Sequence, residues 1–168
     1  WSSDVCSSDL GITLPVGAAY DTKVLTLRAA TANRRVLAVS ASVDTGGYYS
    51  GTKQTVAVNL TVRARPGLIL YTSTEQNHVD LAEGAFTIRL YRAVLETQFS
   101  PFMSLVNNLQ YDSASRVLGW QARYRWILTP GSDLYVVYNH NWLDNLLQPG
   151  FSTLDRRFAT KALYTHRF

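Results

Sequence analysis

Three histidines, two serines, one glycine-rich segment and a set of arginines are the residues of this 168-residue chain whose types could do chemistry. His78 lies close to Asp80 and Glu83, so an imidazole and two carboxylates could be offered to a metal. Such a site usually needs three or four convergent ligands. One short polar segment is a weak set, and the expected reading is a solvated loop. His140, in Asn139-His140-Asn141-Trp142, and His166 are expected in polar roles at the ends of elements. Ser104 and Ser115 could act as nucleophiles, but no His and Asp/Asn arrangement accompanies either. Neither a phosphate-cradling glycine loop nor a nucleophile elbow is present. Asp44 to Gly51 combines glycines with Tyr48 and Tyr49, which could hold a cation or stack on a sugar. Its ordinary reading is a hairpin loop. No catalytic, metal-binding or cofactor-binding residue is assigned, and the chain is read as a non-enzyme. Arg28, Arg63, Arg65, Arg123, Arg125 and Arg167 stand at alternating positions rather than in an exposed stripe, which argues against nucleic-acid binding.

The elements that carry these residues have a period of two, the signature of strands. Leu118, Trp120, Ala122, Tyr124, Trp126 and Leu128 alternate with Gly119, Gln121, Arg123 and Arg125. Val56, Val58, Leu60, Val62 and Ala64 alternate with Ala57, Asn59, Thr61, Arg63 and Arg65. The pattern predicts nine strands, over roughly 21–29, 35–44, 53–65, 68–77, 86–99, 102–112, 116–128, 133–142 and 157–168. The fifth changes phase, because Phe86, Ile88 and Leu90 share one parity and Tyr91, Ala93, Leu95 and Phe99 the other. A β-bulge near Leu90–Arg92 is expected to reconcile them. No segment carries a helical apolar stripe.

Connections alternate in kind. Tight turns are expected at Ala30–Arg34, Arg65-Pro66-Gly67, Ser100-Pro101 and Thr129-Pro130-Gly131-Ser132. Longer polar loops are expected at 44–51, 77–85 and 143–156, with 112–115 as the short exception. Outer-membrane barrels pair short periplasmic turns with longer outer loops in this way. The composition agrees: 46% hydrophobic residues, ten Tyr and one Cys exclude disordered, collagen-like and disulfide-rich classes. Apolar runs of about five residues exclude membrane helices, which need about 20, but not membrane strands.

Residues 1–10, WSSDVCSSDL, repeat Ser-Ser-Asp around Val5-Cys6. They resemble translated sequencing-adapter DNA and are set aside as non-native, so 11–168 is taken as the domain. Cys6 leaves with them, and loss of Asp4 and Asp9 raises the net charge from +4 to +6.

A resemblance spans most of 20–168. Phe99-Ser100-Pro101, Gln110-Tyr111-Asp112, Arg123-Tyr124-Arg125-Trp126, Pro130-Gly131-Ser132-Asp133-Leu134 and Val137-Tyr138-Asn139 carry it, and Asp44-Thr45-Gly46-Gly47-Tyr48 and Asp80-Leu81-Ala82-Glu83-Gly84 fit it. In this order they resemble the C-terminal outer-membrane β-barrel region of a bacterial family of unassigned function. Its members also carry an N-terminal domain similar to family-nine carbohydrate-binding modules. Phe168, with Tyr164 on the same face, resembles the terminal strand signal read by the barrel-assembly machinery.

The expectation is therefore all-β: an antiparallel up-and-down meander of about nine strands, part of a transmembrane β-barrel in a bacterial outer membrane. Nine is odd where bacterial barrels are even, so the barrel is expected to be incomplete, closed by N-terminal strands of the same protein. Its role would be a wall segment, for solute passage or for anchoring a surface or periplasmic carbohydrate-binding module. Lipid, the assembly machinery and those further strands are the expected partners. Trp120, Tyr124, Trp126, Tyr164 and Phe168 are expected to face lipid or its interfaces, with Phe99 and Phe102 at the periplasmic rim and Tyr48, Tyr111, Tyr138, Trp142 and Phe158 at the outer rim. The six arginines are expected to face the lumen near the periplasmic ends. Pairing with Glu75, Glu96 or carboxylates of other strands is preferred there to an anion-attracting ring. Two alternatives are a soluble β-sandwich that binds glycans and a barrel-embedded hydrolase.

Overall fold

The computed structural model describes residues 22–82, 84–145 and 150–165. Residues 1–10, Arg167 and Phe168 lie outside them.

Among the described residues nine strands follow one another. They are β1 (Val24–Ala30), β2 (Leu37–Tyr48), β3 (Gly51–Arg65), β4 (Leu68–Leu81), β5 (Gly84–Ser100), β6 (Met103–Asp112), β7 (Val117–Thr129), β8 (Ser132–Asp144) and β9 (Phe151–Leu163). Each pairs antiparallel with the next in a single sheet, and β1 and β9 are its two edges. The fold is an all-β meander, and the sheet is not closed on itself.

Local chemistry explains the turns. Pro66-Gly67 and Pro130-Gly131 join β3 to β4 and β7 to β8, with φ of 79° at Gly67 and 88° at Gly131. Proline presets the first turn residue and glycine takes the left-handed second one. Pro101-Phe102 joins β5 to β6. These three turns and the 31–36 connection lie at one end of the sheet, the proline end.

The bulge expected at Leu90–Arg92 is not there. Pairing of β5 is continuous from Gly84 to Thr97 with β4 and from Leu90 to Gln98 with β6. The register shifts instead between Gln98 and Ser100, and likewise between Arg63 and Arg65 and between Ile127 and Thr129. Each of these bulges sits just before an X-Pro turn. A fourth shift lies between Asn141 and Trp142.

Three expected loops are wholly or partly strand: β9 begins at Phe151, inside the expected 143–156 loop and six residues before the expected start at 157, and the other two are hairpin tips. The 44–51 segment is a hairpin tip, since Tyr48 pairs with Gly51. The 77–85 segment is another, since Leu81 pairs with Gly84. Alternation persists through these ends, but the faces exchange polarity. Phe86, Ile88 and Leu90 are half-buried while Ala85, Thr87 and Arg89 are exposed. Val79 and Leu81, on the same face as Phe86, are two of the three buried apolar residues among those described; Ala38 is the third. The phase change seen in the sequence is thus a change in what each face meets, not a change in backbone.

Candidate functional site

The register sorts the side chains onto two faces, and those faces are the candidate site. Across the first run the cross-strand rows Leu60, Thr72, Ala93, Leu109, Trp120, His140 and Val58, Thr74, Tyr91, Tyr111, Leu118, Trp142. Val43, Leu27, Tyr124, Trp126, Leu134, Val136, Tyr138 and Phe158 belong to the same apolar face. No described layer covers it. Leu27 is 62% exposed, Trp126 41% and Phe158 69%, and no large side chain among the described residues is fully buried.

The opposite face is polar. One row reads Thr61, Tyr71, Val94, Asn108, Gln121, Asn139, Arg157, and the next Ser40, Asn59, Ser73, Arg92, Gln110, Gly119, Asn141. Its groups satisfy each other laterally. Tyr71 Oη donates to Asn59 Oδ1 at 2.8 Å, Arg92 Nε to Asn108 Oδ1 at 3.1 Å, Gln121 Nε2 to Asn139 Oδ1 at 2.8 Å and Asn141 Nδ2 to Asp155 Oδ1 at 2.6 Å. Arg157 lies 3.4 Å from Asp155. Between β6 and β9 these side chains line an open recess of about 470 Å³. Such a surface is wettable and offers both donors and acceptors.

The expected girdle residues divide between ends and faces. Trp120, Tyr124 and Trp126 share the apolar face, and Tyr164 follows β9 at 78% exposure. Tyr91 and Tyr111 stack at 6.4 Å, a pair that sequence reasoning half missed, since register alone brings Tyr91 to Tyr111. Tyr48 belongs to the other face, at the β2–β3 tip beneath Lys53 Nζ at 5.4 Å.

Arg28, Arg63, Arg123 and Arg125 fall on the polar face, towards the proline ends of β1, β3 and β7. They do not converge, because intervening strands separate them. Arg63 Nη2 donates to Asn33 Oδ1 at 3.0 Å, and Arg125 Nη2 pairs with Asp133 Oδ2 at 2.8 Å and lies over Tyr135 at 5.5 Å. The carboxylate that meets Arg125 is thus Asp133, whereas Glu75 accepts from Asn77 Nδ2 at 2.7 Å. Arg65 lies beyond its bulge, opposite Leu68 at the turn.

His78 and Asp80 lie on β4 rather than in a loop, and His78 Nδ1 is 2.8 Å from Thr87 Oγ1. Among the described residues no three His, Cys, Asp or Glu side chains come together as a metal site. Ser104 lies across from Gln98 and Arg125, and Ser115 donates to Asp112 Oδ2 at 3.0 Å.

His140 was missed as a focus. It is buried, with its ring stacked on Trp142 at 3.8 Å and edge-on to Tyr138 at 6.2 Å. Arg156 Nε donates to His140 Nε2 at 3.3 Å. Guanidinium only donates, so Nε2 accepts and the proton sits on Nδ1, 3.4 Å from Tyr138 Oη. Period-two reading of 151–163 would have placed Arg156 beside Phe158 on this face, and the register that pairs Phe158 with Tyr138 continues unbroken to pair Arg156 with His140.

A scan against protein-family models finds no match, and a search of curated proteins finds none either.

Proposed function

We propose that this chain is a wall segment of a bacterial outer-membrane β-barrel, with its apolar face to lipid and its polar face to an aqueous lumen. The carrying observation is the uncovered apolar face of an antiparallel meander. A water-exposed apolar patch of that extent marks a membrane or partner surface, and a second sheet, which a sandwich would need, is not found among the described residues.

Stagger supports the reading. Leu68 pairs with Thr97, and β5 runs three residues further to Ser100; Met103 pairs with Trp126, and β7 runs three further to Thr129. Gly67 and Phe102 carbonyls accept from Gln98 and Ile127, so each proline turn abuts the flank of a later strand. Three residues are about 10 Å of strand, against about 10 Å for two strand spacings. With the proline turns at one interface, the strands tilt by about 45°, at the upper end of the 35–45° of membrane barrels.

Backbone groups at β1 and β9 must find partners in a bilayer. Both strands run in the same direction, since eight antiparallel pairings separate them. An all-antiparallel closure therefore takes an odd number of further strands, which we assign to the same barrel. The order of motifs from Phe99 to Trp142, with its resemblance to an outer-membrane family, points the same way.

The test is site-directed labelling in outer membranes. Single cysteines at Leu118, Trp120 and Ala122 are expected to react with lipid-phase thiol reagents, and those at Gln121, Arg123 and Arg125 with aqueous ones. A water-soluble protein in which both sets are protected would overturn the proposal and make a glycan-binding module the better reading.

A further inference from the structure

Arg156 is a cation on the apolar face, five residues into β9 and directly opposite His140. A charge there is costly near the bilayer middle and much less so near an interface. Its long stem lets the head reach towards headgroups. No carboxylate pairs with it among the described residues. It is nonetheless held: Nε donates to His140 Nε2 at 3.3 Å and Nη2 lies 3.4 Å from Thr153 Oγ1. Among the described residues two of its five N–H donors are used, which leaves three for a further acceptor.

A second feature lies beside it. Trp142, stacked on His140, also lines an apolar groove of about 390 Å³ with Trp120, Leu70, Ala93 and Leu95. Ala93 is the small residue that leaves the space between its larger neighbours. The groove is almost wholly apolar, of a size that ligand clefts have, and it runs on the face that carries the aromatics.

Resting on the barrel reading above, we propose that Arg156 and this groove together bind one lipid: an anionic phosphate headgroup on the guanidinium and an acyl chain along Trp142, Trp120 and Ala93. The occupant is a phospholipid of net negative charge, because guanidinium forks match phosphate oxygens and a headgroup without its own cation leaves that charge to Arg156. His140 acts as a positioning residue, its Nε2 fixing the plane of the guanidinium.

The full-length protein is reconstituted in phosphatidylcholine vesicles doped with brominated phosphatidylglycerol or, separately, brominated phosphatidylcholine, and tryptophan quenching is read. The difference between wild type and Arg156→Gln isolates the tryptophans beside the guanidinium. Wild type is expected to prefer the anionic lipid about fivefold, which corresponds to about 1 kcal/mol for one cation at a lipid surface. Arg156→Gln is expected to lose the preference while keeping quenching by brominated phosphatidylcholine, and Arg156→Lys to retain part of it. Equal quenching by both lipids in wild type, unchanged in Arg156→Gln, overturns this proposal alone. Absence of quenching by either lipid overturns the barrel reading as well.

Discussion

Ala122 and Gln121 are adjacent in the chain and occupy opposite faces of β7, between Asn107 and Tyr138 on one side and Asn108 and Asn139 on the other. Placing the same charge at each is a sharp test of the faces. Ala122→Arg is expected to destabilise the folded protein in vesicles by about 2–4 kcal/mol, the cost of arginine on a lipid face near the midplane. Gln121→Arg is expected to stay within about 0.5 kcal/mol, as for a solvated surface site. Reversible urea unfolding in vesicles measures both, and equal effects would sink the assignment of faces. Asn107 is also polar on the apolar face, and Trp120 Nε1 donates to its Oδ1 at 3.4 Å. The arginines show what residue type alone conveys. Alternation was enough to place Arg123 and Arg125 opposite Trp120 and Tyr124. It was not enough to identify Asp133 as the partner of Arg125, because that pair spans the β7–β8 turn and depends on the bulge before Pro130.

Strand length is the element-scale signal. β6 to β9 have 10 to 13 residues, close to the roughly 9–11 that cross a bilayer obliquely. β4 and β5 have 14 and 17, so in the proposed barrel their ends away from the proline turns would protrude. There the face shared with Tyr91 and Ala93 becomes Thr87 and Arg89, and Arg89 Nε donates to Gln76 Oε1 at 3.1 Å. Single cysteines on this one face of β5 are therefore expected to divide: Ala93 and Leu95 reached by lipid-phase reagents, Thr87 and Arg89 by aqueous ones. Uniform labelling along the strand would mean that no interface crosses it near Tyr91. This polarity exchange was present in the sequence as a phase change. Period-two reasoning turns it into a bulge because it takes the apolar face as the same along a whole strand, which holds only while the surroundings stay the same.

At the scale of the molecule, the apolar face cannot be left in water and the two edges cannot be left in lipid. Of the described apolar residues only Ala38, Val79 and Leu81 are buried, so this sheet gains little from an internal core. In the proposed barrel, closure would take an odd number of further strands, because β1 and β9 run in the same direction. Refolded alone, the 168-residue chain is expected to give no heat-modifiable band on a semi-native gel, whereas the complete barrel gives one. A compact heat-modifiable monomer from this chain alone would require β1 to pair with β9 in parallel and would overturn the proposed closure.

The sequence by itself determined the all-β class, nine strands, the proline turns and which residues of β7 share a face. These are local properties: side-chain parity, proline at turn position one and glycine at position two act over two to four residues. Only the tertiary structure decided register. It placed Tyr91 against Tyr111, His140 against Arg156 and Leu81 against Gly84, turning two expected loops into hairpin tips. Register depends on where each bulge adds a residue, and a one-residue change reassigns every cross-strand neighbour that follows. Residues 65, 100 and 129, each just before a proline, mark where three of the four bulges fall. The fourth, opposite Trp142, has no such mark, and it shifts the partners of Trp142, Leu143 and Asp144.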